Sequence, residues 1–177
     1  MRRYIAFLRA INVGGHVVKM EALCGLFVSL GFLNVETFIA SGNVLFETNL
    51  NRNLEKKIES KLREALGYDV ATFIRTDAEL KAVANYKAFA QSQLGAATAF
   101  NVAFLKESLD DNSNQKVMSL RTDIDNFHVH GRELYWLCQK KQSDSTFSNV
   151  VLEKTLGRPS TIRGVNTIQK IAAKYQK

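Results

Sequence analysis

The stretch from residue 34 to 75, "NVETFIASGNVLFETNLNRNLEKKIESKLREALGYDVATFIR", decides the fold class. Two short apolar runs with strand-like alternation are separated by Ser41 and Gly42, and such a pair is typical of a hairpin turn. Apolar residues at helical spacing follow, and a second glycine then precedes another apolar run. The segment predicts four elements: strand 34–40, strand 43–47, helix 51–67 and strand 68–75.

The residues before this stretch complete a small domain. Residues 2–9 form an apolar run that fits a strand, and residues 19–31 have helical spacing that ends at Gly31. The order over residues 1–77 is therefore βαββαβ, the ferredoxin-like sandwich. In this fold the strands lie in the order 4-1-3-2, with strand 3 antiparallel to strands 1 and 2.

The rest of the chain predicts a second domain of related order. Asp77 fits the N-cap of a helix, and residues 78–98 are interpreted as a helical linker. Residues 99–177 then predict a βαββαα arrangement with these elements: strand 99–107, helix 110–122, a hairpin about Gly131 and Arg132, helix 147–157 and helix 160–176. The expected fold class is α+β, with two small α/β domains.

Composition places the chain among ordinary globular proteins. It has 46% hydrophobic and 23% charged residues, and no apolar run has the roughly 18 residues that a membrane span needs. Arg9 interrupts the short apolar run at the start, so a signal peptide is not expected and a cytoplasmic location is. Cys24 and Cys138 lie far apart in apolar patterns, which favours buried, reduced thiols.

The positive charge is concentrated at the C-terminal end. The net charge is +7, and residues 140–177 carry eight basic and two acidic side chains. A basic surface attracts nucleic acid or phosphorylated metabolites, and a merely solvated positive face is an equally good interpretation. Both faces of the first sheet are also apolar, so either the second domain or a dimer partner covers the face without helices. An aromatic platform for single-stranded RNA is the alternative.

The glycine-containing loop "LRAINVGGHVVK" (8–19) is the first candidate binding site. Gly14 and Gly15 can adopt positive φ and let a ligand approach the backbone. The helix that follows begins near Lys19, and helix N-termini attract anions. A tight turn without a ligand is the other interpretation of this loop.

The topology strengthens that candidate, because it brings the loop and the "ASGN" hairpin to one sheet edge. Small and polar side chains from the two segments are expected to meet there. They are Arg9, Asn12, Gly14, Gly15, His16, Lys19, Ser41 and Asn43, with Tyr68 beside them. Hairpin chemistry at Ser41 and Asn43, and an Asn12 that bonds its own loop, remain the structural interpretation.

The segment "GRPSTIRGVNT" (157–167) is the second candidate site. Ser160 or Thr161 fits the N-cap of the final helix, and Arg163 and Asn166 follow, so that an anion could be held at this helix start. A well-capped terminal helix with solvated arginines is the other interpretation. If the two domains fold together, this segment closes over the first site.

Other chemical motifs are absent or weak. His128 and His130 lie on one face of a strand, but no third ligand has suitable spacing, so neither a metal nor a cofactor is expected. Ser41 is not in a G-x-S-x-G elbow, and the chain has no Walker A loop or dinucleotide fingerprint. The catalytic residues, if there are any, stay unassigned.

The stretch "FLRAINVGGHVVKMEALCGLFVSLGFLNVETFIASGNVLFE" resembles the domain of unknown function 1697 family. That family opens with a strand, an R-G-I-N-V-G-G loop, a K-M-x-x-L helix and an S-G-N-V hairpin. "STIRGVNT" is similar to its T-T-R-N-x-x-T segment. Ala10 and Gly164 depart from the glycine and asparagine of the family pattern. The resemblance implies a bacterial two-domain α/β protein and implies no activity.

These observations favour one function and leave two alternatives open. The leading expectation is a cytoplasmic protein that binds a phosphate-bearing small molecule or nucleotide at the shared edge, with or without turning it over. The alternatives are a nucleic-acid-binding module that uses the basic C-terminal region and a dimeric assembly protein. No membrane partner is expected.

Overall fold

The structure is a computed structural model that describes residues 1–12 and 14–175, apart from the side chain of Ser41. The chain divides into two compact units. The first comprises Met1–Lys81 and the chain from Ile171, and the second comprises Ala82–Lys170. Of the helices in the described residues, none is long and apolar enough to cross a membrane.

The first unit has the expected ferredoxin-like order. Its elements are β1 (Arg2–Leu8), α1 (Met20–Ser29), β2 (Leu33–Phe38), β3 (Ala40–Thr48), α2 (Leu54–Leu66), β4 (Thr72–Thr76) and α3 (Asp77–Asn85). The strands form an antiparallel ladder in the order β2-β3-β1-β4, which confirms the topology predicted from the sequence. Thr76 and Glu79 form a reciprocal capping box at the start of α3.

The pairing register of the strands shows which strand ends lie at the predicted edge of the sheet. Phe7 is opposite Asn43 on β3, and Leu8 is opposite Thr72 on β4. The end of β1, the start of β3 and the start of β4 therefore lie at the same edge of the sheet. The 11-residue loop between β1 and α1 leaves from this edge.

The core of the first unit lies between the sheet and helices α1 and α2. Phe46 of β3 stacks on Phe32, with ring centroids 4.6 Å apart, and meets the edge of Phe27 of α1 at 5.5 Å. Leu54, Ile58 and Leu62 face this core from α2, as the helical spacing predicts. The other face of the sheet is also apolar, and its Ile5, Phe7 and Phe73 are fully buried.

The position of the first hairpin differs from the prediction. Ser41, Gly42 and Asn43 lie within β3, and the turn is at Ile39, between Phe38 and Ala40. The pairing register of β2 and β3 shifts after Thr37, and the turn lies closer to the N-terminus than the predicted turn at Ser41 and Gly42. Ile39, at this turn, has a left-handed φ of 67°. The Ser-Gly pair was expected to form the turn because it is favourable there, but strand pairing with β1 determines the actual position.

The second unit contains a complete second sheet. Its elements after α3 are α4 (Gln91–Ala96), β5 (Ala99–Phe104), α5 (Asp111–Met118), β6 (Asp125–His130), β7 (Glu133–Cys138), a short 3-10 turn (Gln142–Asp144), α6 (Asn149–Leu156), β8 (Thr161–Gly164) and α7 (Val165–Lys174). The strand order is β6-β7-β5-β8. Phe127, Trp136 and Phe147 pack together in its core, with ring centroids 4.6 to 4.8 Å apart.

The predicted βαββαα order of the second half is wrong in its last part. Residues 161–164 form strand β8, which pairs antiparallel with β5, and α7 begins at Val165 instead of residue 160. Ser160 is therefore not a helix cap. It is fully buried, and its hydroxyl donates to the Asn149 side chain at 2.6 Å. The hydrogen bond of Ser160 and the pairing of residues 161–164 with β5 stabilise a strand here, although the apolar residues have helical spacing.

The corrected order makes the second unit a structural repeat of the first. In each unit the last strand contains an Ile-Arg pair, followed by a helix. Arg75 donates from Nη1 to the carbonyl of Ile74 at 2.8 Å, and Arg163 does the same to Ile162 at 2.9 Å.

Candidate functional site

Two consecutive glycines shape the loop between β1 and α1. Gly14 has a φ of 68° and Gly15 a φ of 83°, both in the left-handed region that favours glycine. This confirms the expectation that the loop uses positive φ at these positions. A Cβ built at Gly15 meets no atom of the described residues within 4 Å, so the backbone there lies against open space.

Two non-glycine residues near this edge adopt the same left-handed conformation. Ala10, at the start of the loop, has a φ of 51°, and the family that the sequence resembles has glycine at this position. Ile39, in the hairpin, has a φ of 67°. The conformation costs an L residue about 1–2 kcal/mol, and it is rarest for β-branched side chains. The surrounding structure therefore holds strained backbone on both segments of the edge.

Asn12 closes the loop internally. Its Oδ1 accepts a hydrogen bond from the backbone N–H of Val18 at 2.8 Å, across six residues. The sequence left open whether Asn12 bonds within its own loop, and this hydrogen bond shows that it does. Asn12 therefore links the described residues before the two glycines to those after them.

Tyr68 links the loop to the segment that precedes β4, the last strand of the unit. Its hydroxyl donates to the carbonyl of Ile11 at 2.8 Å, and its ring lies 4.4 Å from that of His16. We call the surface formed by residues 9–12, residues 14–19 and Tyr68 the glycine-loop edge. The loop is therefore held at two points, once by Asn12 and once by Tyr68.

Basic side chains flank the glycines within this edge. Arg9 is half-buried, and its backbone N–H donates to Ala71 at 2.9 Å, which continues the pairing of β1 with β4. Lys19 is exposed and is the N-cap residue of α1, with no cap hydrogen bond from its side chain in the described structure. Glu21 is the acidic residue in the first turn.

The hairpin contributes differently from the loop. Asn43 is buried, and its amide donates to the carbonyl of Phe38 at 3.2 Å. It therefore stabilises the hairpin turn around Ile39 from inside. The side chain of Ser41, the other hairpin residue expected at the site, lies outside the described part of the structure.

The second candidate group belongs to the second unit. Arg163 donates from Nη1 to the Thr161 hydroxyl at 2.8 Å, and both residues lie on β8. Burial lowers the pKa of Arg163 to about 10, so this guanidinium stays charged at neutral pH. Asn166 is exposed in the first turn of α7. Thr161 and Arg163 bond each other on the strand, where the sequence had predicted a helix start.

A third group was only partly visible in the sequence. His128 and His130 do share one face of β6, and Tyr86 joins them, its hydroxyl 2.8 Å from Nε2 of His128. Tyr86 is 42 residues away from His128 and has no local motif, so only the fold reveals it. Among the described residues, no three His, Cys, Asp or Glu side chains gather closely enough to hold a metal ion.

Comparisons with other proteins agree with the fold. A model of the family described as "Protein of unknown function (DUF1697)" matches residues 1–135. The chain is similar in structure to the conserved bacterial protein SP0830 from Streptococcus pneumoniae, with a TM-score of 0.81 and 24% identity over 100% of this chain and 99% of that one. At this identity the likeness is one of fold. No curated protein sequence matches the chain.

Proposed function

This chain belongs to the DUF1697 family of proteins of unknown function, and we propose that it binds a small phosphate-bearing molecule, such as a nucleotide or a sugar phosphate, at the glycine-loop edge. The proposal rests on one observation. Two consecutive left-handed glycines lead into a helix whose N-cap residue, Lys19, gives no side-chain cap.

The backbone of this segment offers hydrogen-bond donors to an anion. The first four N–H groups of a helix have no partner within the helix, and they carry the positive end of its dipole. At the start of α1 these groups lie beside a loop with no side chains at positions 14 and 15. A phosphate can therefore approach the loop amides closely.

The charges around the loop favour an anion as well. Arg9 and Lys19 contribute two positive charges, and the imidazole of His16 contributes a hydrogen-bonding group beside Tyr68. Glu21 opposes them with one negative charge in the first turn. In the proposed complex, Arg9 pairs with the anion, the loop amides surround it, and Lys19 increases the rate of encounter.

The hairpin has a supporting role in this proposal. Because the Asn43 amide is used on Phe38, Asn43 orients the ligand only through the position of the hairpin. The hydroxyl of Ser41 remains a candidate for direct contact.

A thermal-shift screen with nucleoside triphosphates, sugar phosphates and pyrophosphate tests the proposal. A ligand that binds the folded state and not the unfolded state raises Tm, and the shift grows with the logarithm of the ligand concentration relative to its Kd. We expect at least one of these compounds to raise the Tm of the wild type and to do so much less in Arg9→Ala and Lys19→Ala. Lys57→Ala, which removes an exposed lysine on α2, is the matched control and keeps the full shift.

Two results would refute the proposal. One is the absence of any ligand that shifts the wild type more than Arg9→Ala. The other is salt-sensitive RNA or DNA binding that Lys154→Ala and Lys170→Ala weaken while Arg9→Ala does not, because that result assigns the function to the basic C-terminal region.

A further inference from the structure

His16 presents an exposed aromatic ring directly after the two glycines of the glycine-loop edge. Its imidazole lies on the ring of Tyr68, with centroids 4.4 Å apart and an angle of 30° between the planes. The Tyr68 hydroxyl is bonded to the carbonyl of Ile11, so this tyrosine supports the imidazole from one side. Tyr68 is the aromatic side chain that the described residues place against His16, and the imidazole is otherwise exposed.

Two exposed apolar side chains follow His16 in the chain. Val17 is 83% exposed and Met20 is 49% exposed. Single exposed apolar residues are normal on a protein surface, but a group of them beside polar groups is typical of a surface that binds a ligand. Together with His16 they give the glycine-loop edge an aromatic and apolar part. A phosphate or a sugar has little apolar surface that could cover this part.

The second unit shows the corresponding helix start in a closed form. α5 follows β5 there, as α1 follows β1 in the first unit. The carboxylate of Asp110, the N-cap residue of α5, accepts a hydrogen bond from the backbone N–H of Ser113 at 2.7 Å. The N-cap residue of α1 is Lys19, whose side chain makes no such bond. The start of α1 therefore lacks the anionic cap of its counterpart, which leaves its N–H groups available to an anion from a ligand.

We propose that the ligand of the glycine-loop edge is a nucleotide and that its base stacks on His16, an inference that rests on the proposed function. The loop amides hold the phosphate, and the base covers the exposed face of the imidazole, with Val17 and Met20 beside it. Histidine is one of the residues on which proteins stack bases, and stacking accepts every base because each has a π-face. A sugar phosphate gains the phosphate contacts alone.

Calorimetric titration with AMP, UMP and ribose 5-phosphate tests the base separately from the phosphate. The three compounds share one phosphorylated ribose, and two of them carry a base. We expect AMP and UMP to bind the wild type about ten-fold or more tightly than ribose 5-phosphate, the usual effect of stacking one base on an aromatic side chain. Arg9→Ala is expected to weaken the binding of all three compounds by the same factor.

Variants of His16 test which side chain provides the preference for a base. In His16→Ala, the three compounds are expected to bind with similar Kd, because the phosphate contacts remain. His16→Phe keeps a stacking ring and therefore keeps the preference for AMP and UMP. The matched control is His130→Ala, in the second unit, because His130 is also exposed and also stacks on a tyrosine, Tyr86, with centroids 4.0 Å apart. This control is expected to keep the full preference.

The outcomes separate this inference from the proposed function. Equal binding of the three compounds by the wild type refutes the base contact, as does a preference that persists in His16→Ala or disappears in His16→Phe. In each of these cases the phosphate site stands if Arg9→Ala weakens the binding. If none of the three compounds binds and no compound of the thermal-shift screen raises Tm, both the inference and the proposed function are refuted.

Discussion

The hydroxyl of Tyr68 donates a hydrogen bond to the carbonyl of Ile11 at 2.8 Å, across 57 residues of sequence. This bond joins the glycine loop to the segment that enters β4. The same ring lies against His16. Tyr68 therefore restrains the loop in addition to the bond between Asn12 and Val18.

Tyr68→Phe removes this hydrogen bond and keeps the ring. We expect the free energy of unfolding to fall by about 1 kcal/mol, the usual net contribution of one intramolecular hydrogen bond. We also expect faster amide exchange in residues 11–18, because the loop then loses its hydrogen bond to the segment before β4. Urea unfolding and hydrogen exchange measure the two effects, and unchanged exchange in this segment would show that Tyr68 does not restrain the loop.

Ala10→Gly is expected to stabilise the protein. Ala10 is exposed and has a φ of 51°, which costs an alanine about 1–2 kcal/mol. Glycine removes this cost but loses roughly 0.5–1 kcal/mol through the greater entropy of the unfolded chain. The net gain is about 0–1.5 kcal/mol, and it appears as a higher Tm.

The control for Ala10→Gly is Ala22→Gly. Ala22 is an exposed alanine with helical backbone in α1, so the same substitution there lowers stability by about 1 kcal/mol. If Ala10→Gly raises Tm and Ala22→Gly lowers it, the effect of Ala10→Gly comes from the left-handed backbone at this position. A lower Tm for both variants would contradict the strain that the structure shows.

The first unit could be predicted from its sequence because its signals are local. The helical spacing of Leu54, Ile58 and Leu62 and the alternation in the strands specify each element. The βαββαβ order then determines which strand ends share an edge. The same local information misplaced the hairpin, because the position of the turn at Ile39 depends on how β3 pairs with β1 and β2.

Strand β8 and Tyr86 show what local patterns cannot supply. Ile162 precedes Val165 by three residues, so a four-residue strand and a helical turn predict the same apolar spacing. Pairing with β5 decides between them, and that pairing joins residues about 60 positions apart. Tyr86 contacts His128 because the fold brings the two residues together, and no sequence motif at either residue predicts the contact.

Ser160→Ala is expected to destabilise the segment before β8. The buried Ser160 hydroxyl donates to Asn149 at 2.6 Å, and the Asn149 amide donates to the Ser160 carbonyl at 2.9 Å. Removing the hydroxyl leaves the side-chain oxygen of Asn149 short of a donor, at a cost of about 1–2 kcal/mol. Urea unfolding measures the cost.

Ser119→Ala is the control for Ser160→Ala. Its exposed hydroxyl donates only to the carbonyl of Lys116 in the same helix turn, so little change is expected. If Ser160→Ala unfolds at the same urea concentration as this control, the buried bond does not hold β8 in place.

Asp125→Ala is expected to be the most destabilising of these substitutions. Asp125 is 2% exposed, and its carboxylate accepts hydrogen bonds at 2.8 Å from the indole of Trp136 and from the hydroxyls of Thr122 and Ser145. Alanine leaves these three donors without their acceptor. Since an unpaired buried donor such as the Trp136 indole costs about 1–3 kcal/mol, and the two partly buried hydroxyls cost less, the free energy of unfolding should fall by about 2–3 kcal/mol.

The fluorescence of Trp136, the single tryptophan, reports this unfolding directly. Asp123→Ala is the control, because Asp123 is exposed two residues away and its loss should change stability by less than about 0.5 kcal/mol. Asp125→Asn keeps an acceptor for the indole and is expected to fall between the two. A midpoint for Asp125→Ala equal to that of Asp123→Ala would mean that the three donors find other partners, and that the loop before α6 does not depend on this carboxylate.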